Sequence, residues 1–99
     1  MLRIALGQFN ATVGDLAGNA DKMREVYAKA IDAGADLIVF PELAACGYPP
    51  EDLLHKKHFL EENRQIVEEL AKDCPAKTTI VGFAESDKGS CYNSAAILQ

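Results

Sequence analysis

Apolar and polar positions change period repeatedly along the chain. Residues 2–9 mix long and β-branched apolar side chains with Gly and Gln and predict a strand. Asn10, Gly14, Asp15 and Gly18 then mark a loop over 10–18. From Asn19, expected as an N-cap, Met23, Val26, Tyr27, Ala30 and Ile31 recur at three-and-four spacing. Lys22, Arg24, Glu25 and Lys29 fall mostly on the other side, which predicts an amphipathic helix over 20–33. Gly34 is placed to close it in a left-handed conformation. Residues 36–40, Asp-Leu-Ile-Val-Phe, form a short apolar run of the kind seen in strands buried on both faces. Strand, helix and strand make a βαβ unit.

Residues 41–54 read as a loop with a tight turn at Gly47-Tyr48-Pro49-Pro50 and a short helix opening at Pro50-Glu51-Asp52. A second helix is predicted over 59–73, with Phe59, Ile66, Val67, Leu70, Ala71 and Cys74 on one face and Pro75 ending it. Thr78 to Ala84 predicts a strand, Ser86 to Ser90 a turn, and Cys91 to Leu98 a returning strand. The order is β-α-β-α-β-β, an α/β arrangement. Two amphipathic helices can cover one sheet face, which leaves the other face bare and the last strand an open edge. The expectation is that residues 1–99 are an incomplete N-terminal segment of a larger layered domain.

Composition narrows the possible functions. At 48% hydrophobic and 25% charged residues, the chain should fold. A net charge of −5 argues against nucleic acid and anionic membrane surfaces as partners. No apolar run is long enough for a membrane span or a secretory signal. Three cysteines, an odd number without C-x-x-C spacing, fit a reducing, cytoplasmic setting better than a disulfide framework.

The sharpest chemical feature is Phe40-Pro41-Glu42. A buried strand delivers Glu42 just past its carboxyl end, where open α/β sheets place ligands, and Pro41 stiffens the backbone there. An apolar setting would suit a general base, whereas a Glu that caps the following turn is the plain structural alternative. Cys46 lies four residues on, but a thiolate needs positive neighbours and none is close in sequence, so a small buried side chain is the better reading. Cys74 and Cys91 read as structural. His55 and His58 have a spacing that could hold a metal, although Lys56 and Lys57 between them would oppose a cation. Gly14 and Gly18 lack the spacing of a phosphate-binding loop.

The stretch from Gly34 to Leu43 resembles the first catalytic motif of the nitrilase superfamily of carbon–nitrogen hydrolases. Gln8 to Asn19 and Gly47-Tyr48-Pro49-Pro50-Glu51-Asp52-Leu53-Leu54 resemble the glutaminase domains of glutamine-dependent NAD synthetases more particularly, and Tyr92-Asn93-Ser94-Ala95 resembles the family's next strand. The resemblance implies the N-terminal part of an α-β-β-α sandwich. It implies a Glu-Lys-Cys triad in which Glu42 is the general base, with the Lys and Cys motifs outside these residues. It also implies that Tyr48 could wall an amide pocket, although a surface-packing Tyr is an equal reading. The implied partners are glutamine or another small amide, the rest of the amidase domain, a C-terminal synthetase domain using ATP and Mg²⁺, and further copies in a homo-oligomer. No cofactor is expected in the segment itself. A stand-alone amidase or carbamoylase, and a non-catalytic fragment without activity of its own, are the alternatives.

Overall fold

The computed structural model describes residues 1–99. Its elements are β1 (Ile4–Leu6), α1 (Leu16–Asp32), β2 (Leu37–Val39), a 3-10 turn (Glu51–His55), α2 (Lys57–Asp73), β3 (Thr78–Asp87) and β4 (Ser90–Leu98). The sheet runs β1-β2-β3-β4, parallel through β3 and antiparallel between β3 and β4.

Both helices pack on one side of this sheet. Ala20, Met23, Tyr27 and Ala30 of α1 and Val67 and Leu70 of α2 share a single buried cluster with Ile38, Val81, Phe83 and Leu98 of the strands. The opposite face carries an apolar row across all four strands, Leu6-Val39-Ile80-Ile97. Leu6 is 69% and Ile97 64% exposed, so nothing in these residues covers that face. Here β2 departs from the expectation of burial on both faces: Ile38 is buried, while Leu37 and Val39 are only half-buried. The reason is that the two helices lie on the same side.

Gly34 closes α1 at φ +83° as expected. The amide of Ala35 donates to the Ala30 carbonyl and that of Gly34 to the Ile31 carbonyl, the paired bonds of a Schellman ending. The helix start differs from its prediction. Asp15 is the N-cap, its carboxylate accepting from the Gly18 amide, and the helix begins at Leu16. Asn19, expected as the cap, sits one turn inside and is fully buried. Its side chain accepts from the Thr12 amide at 2.8 Å and donates to the carbonyls of Thr12 and Ala45 at 2.8 and 3.1 Å. It thereby clamps the 10–14 loop and the segment after Glu42 onto α1. Removing the clamp strands three backbone groups. Asn19→Ala is therefore expected to lower unfolding free energy by about 2–4 kcal/mol, read from the urea midpoint. A loss under about 0.5 kcal/mol would mean that water replaces the amide.

The remaining differences lie at element ends. The strand expected over 2–9 contracts to three residues, matching the three-residue β2 it pairs with. The β3 and β4 strands run further than expected and meet at a two-residue turn, Lys88-Gly89. Both turn residues have positive φ, as a tight hairpin of this twist requires.

Candidate active site

The site is built where β2 runs out. After Val39, Phe40 stays in register through its amide, which donates to the Ile80 carbonyl of β3. Pro41-Glu42-Leu43 then crosses over β3 at Gly82. A Cβ on Gly82 would lie 2.5 Å from the Leu43 nitrogen and 2.7 Å from the Pro41 oxygen. Only a glycine lets the two backbones come this close. Leu43 adopts φ +51°, a left-handed conformation that costs a side chain of this kind about 1–2 kcal/mol. Its side chain is buried with Leu16, Cys46, Phe59 and Ala84, which offsets that cost. Hydrogen bonds from Ala45 to the Gly82 carbonyl and from Gly47 to the Leu43 carbonyl hold the crossing in place.

This turn lifts Glu42 onto the bare face of the sheet, at the carboxyl end of β2. The side chain is exposed, so the apolar enclosure anticipated for it is not supplied by these residues. Its Oε1 accepts a hydrogen bond from Asn93 Nδ2 of β4 at 2.7 Å, and Oε2 has no donor from the protein. Two shallow clefts flank it. One, of ≈ 260 Å³, runs over Ile80, Gly82, Asn93 and Ala95. The other, of ≈ 210 Å³, is walled by Phe9, Asn10, Ala11 and Tyr48. Phe9 is steadied by an edge-to-face contact with Phe40, their centroids 6.1 Å apart. The structure thus brings Glu42 and Tyr48 to one cleft. An exposed carboxylate with a free oxygen beside a small, partly aromatic cleft can accept a proton from a group brought to it.

The other residues singled out in the sequence lie elsewhere. Cys46 is fully buried, and its thiol is directed to the carbonyls of Leu43 and Gly47. Burial pushes that thiol up to about 11, so it is protonated at neutral pH and is not a nucleophile. Cys74, the C-cap of α2, is buried in the main core, and burial raises its thiol too. Cys91 is exposed near the β3–β4 turn. His55 ends the 3-10 turn and His58 lies in the first turn of α2, so the two do not share one helix, and no three His, Cys, Asp or Glu side chains gather into a metal-binding group.

Two participants escaped the sequence reading. Gly82 carried a signal, since a lone glycine in a β-branched strand marks a close backbone approach. Asn93 stood inside the noted Tyr-Asn-Ser-Ala stretch, but nothing local tied it to a residue 51 positions away.

The profile of the carbon–nitrogen hydrolase family matches residues 3–99. The glutamine-dependent NAD(+) synthetase of Thermotoga maritima is 44% identical over 100 aligned positions, covering 99% of this chain and 17% of that enzyme. The structure of a glutamine-dependent NAD(+) synthetase from Cytophaga hutchinsonii superposes with a TM-score of 0.94 at 26% identity, over 99% of this chain and 17% of that one. An amidase from Nesterenkonia sp. shares the fold at a TM-score of 0.81 and 24% identity, over 97% of this chain and 37% of that one. The chain spans less than a fifth of the length of the curated synthetases it matches.

Proposed function

The chain belongs to the carbon–nitrogen hydrolase family, and on that footing we propose that it forms the N-terminal part of the glutamine-hydrolysing domain of a NAD synthetase, with Glu42 as the general base. The observation that carries the reading is the built crossing at Gly82. It presents Glu42 at the end of β2 with one carboxylate oxygen held and the other free. Similarity to glutamine-dependent NAD(+) synthetases over nearly the whole chain supports glutamine over other small amides.

The reaction proceeds in two halves. Glu42 takes the proton of a cysteine thiol contributed by sequence beyond this segment, and the thiolate attacks the carboxamide carbon of glutamine. A lysine from the same source stabilises the oxyanion. The C–N bond breaks, and ammonia leaves with the proton that Glu42 returns. Glu42 then deprotonates the water that opens the thioester, giving glutamate and the free thiol. Tyr48 and Phe9 wall the cleft that receives the amide. The second layer of the α-β-β-α sandwich covers the Leu6-Val39-Ile80-Ile97 row and encloses Glu42, supplying the desolvation these residues lack. On the same reading, ATP and Mg²⁺ belong to a C-terminal synthetase domain that consumes the ammonia. The parent enzyme is expected to be cytoplasmic and homo-oligomeric. No helix is long and apolar enough to cross a membrane.

The second reading, a stand-alone amidase, is favoured by the shared fold with the Nesterenkonia enzyme. The test uses the gene product that contains these residues, supplied with deamido-NAD, ATP, Mg²⁺ and either glutamine or ammonium. NAD formed from both nitrogen sources is the expected result. Hydrolysis of small amides without any NAD would select the stand-alone amidase.

A further inference from the structure

Asn93 lies on β4 opposite Ala84 of β3, two register positions along, and so on the same face, from the Gly82–Ala95 pair over which Glu42 crosses. Asn is disfavoured within strands, and this one is exposed, so neither propensity nor burial accounts for it. Its side-chain amide is the one protein donor to Glu42. We propose that Asn93 is a positioning residue for Glu42, holding Oε1 so that Oε2 stays turned toward the reacting groups; this rests on Glu42 being the general base.

The residue type suits that task. A cation at 2.7 Å would lock the carboxylate into an ion pair, whereas a neutral amide fixes its direction without adding a charge to the site. The donor is also fixed from below. Antiparallel pairing of β3 and β4 sets where Asn93 stands, and the Gly82 crossing sets where Glu42 stands, so the two meet without flexible backbone between them and the sheet. The lone titratable side chain besides Glu42 along the two flanking clefts is Tyr48. No other charge there competes for the carboxylate. An exposed hydrogen bond adds little to stability, so a positioning role and a structural role predict different losses.

The test compares Asn93→Ala, Asn93→Asp and Glu42→Gln in the full gene product, with ammonia-driven NAD formation as the control. Asn93→Ala is expected to lower the glutamine-driven kcat by about 10- to 100-fold through loss of alignment. KM for glutamine and the ammonia-driven rate should stay within about twofold, since no substrate contact is removed. Asn93→Asp should lower that kcat at least as far, because a carboxylate has no proton to donate to Oε1 and repels it. A normal glutamine-driven kcat in Asn93→Ala, in an enzyme that Glu42→Gln silences, would overturn the positioning role alone. Parallel loss of both nitrogen sources would overturn it in favour of a structural role. Glutamine use that survives Glu42→Gln would remove the general-base reading and the positioning role with it.

Discussion

Glu42→Gln is expected to reduce glutamine-driven NAD formation by about 10³-fold or more, and to leave ammonia-driven formation within about twofold. General base catalysis contributes roughly 10²–10⁴-fold to a single step. In the proposed reaction Glu42 serves twice, first toward the thiol and then toward the water that opens the thioester. Gln is nearly isosteric, and its carbonyl oxygen can still accept from Asn93 Nδ2, so the loss isolates the proton transfer from the geometry. Ammonia-driven synthesis bypasses the amidase site and reports that the protein is folded. The measurement is the initial rate with each nitrogen source across saturating substrate. A variant that keeps its glutamine-driven rate would exclude Glu42 as the base.

Gly82→Ala is the second large effect, and it acts through the backbone. The added Cβ would meet the Leu43 nitrogen and Pro41 oxygen at 2.5 and 2.7 Å. Both contacts are main chain, so neither can rotate aside. The crossing has to lift away from β3, which strains the bond from Ala45 to the Gly82 carbonyl and disturbs the buried Leu43. An unfolding free energy lower by about 2–4 kcal/mol is expected, in the range of overpacking and strain. Glutamine-driven activity should fall at least about tenfold beyond any loss of folded protein, because Glu42 rides on the displaced segment. Gly89→Ala provides the contrast. Nothing lies within 4 Å of its Cβ, so its cost is confined to the left-handed conformation, about 1–2 kcal/mol, and the site is untouched. Equal effects at the two glycines would show that the close approach at Gly82 is not what holds the site.

Much of the architecture was legible in short-range pattern. The three-and-four spacing of Met23, Tyr27 and Ala30 determined that a helix forms and which side it buries, because helical neighbours are set by the backbone repeat alone. Gly34 announced the end of α1, and the apolar run before Pro41 announced a strand that presents Glu42 beyond its carboxyl end. The uncovered sheet face was legible for the same reason, since two amphipathic helices leave apolar alternation in the strands without a partner.

What the pattern could not decide were choices between locally equivalent residues. Asp15 and Asn19 are both good caps one turn apart. Docking of the 10–14 loop and of Ala45 drew Asn19 inward and left Asp15 at the helix end. Pairing partners, not propensity, set the length of β1. The surroundings of Glu42 were decided the same way. Its type and place past β2 are sequence properties, but the left-handed turn at Leu43, the close passage over Gly82 and the bond to Asn93 each join residues far apart in the chain. Such contacts depend on how strands register and layers stack, and no local window of side chains contains that information.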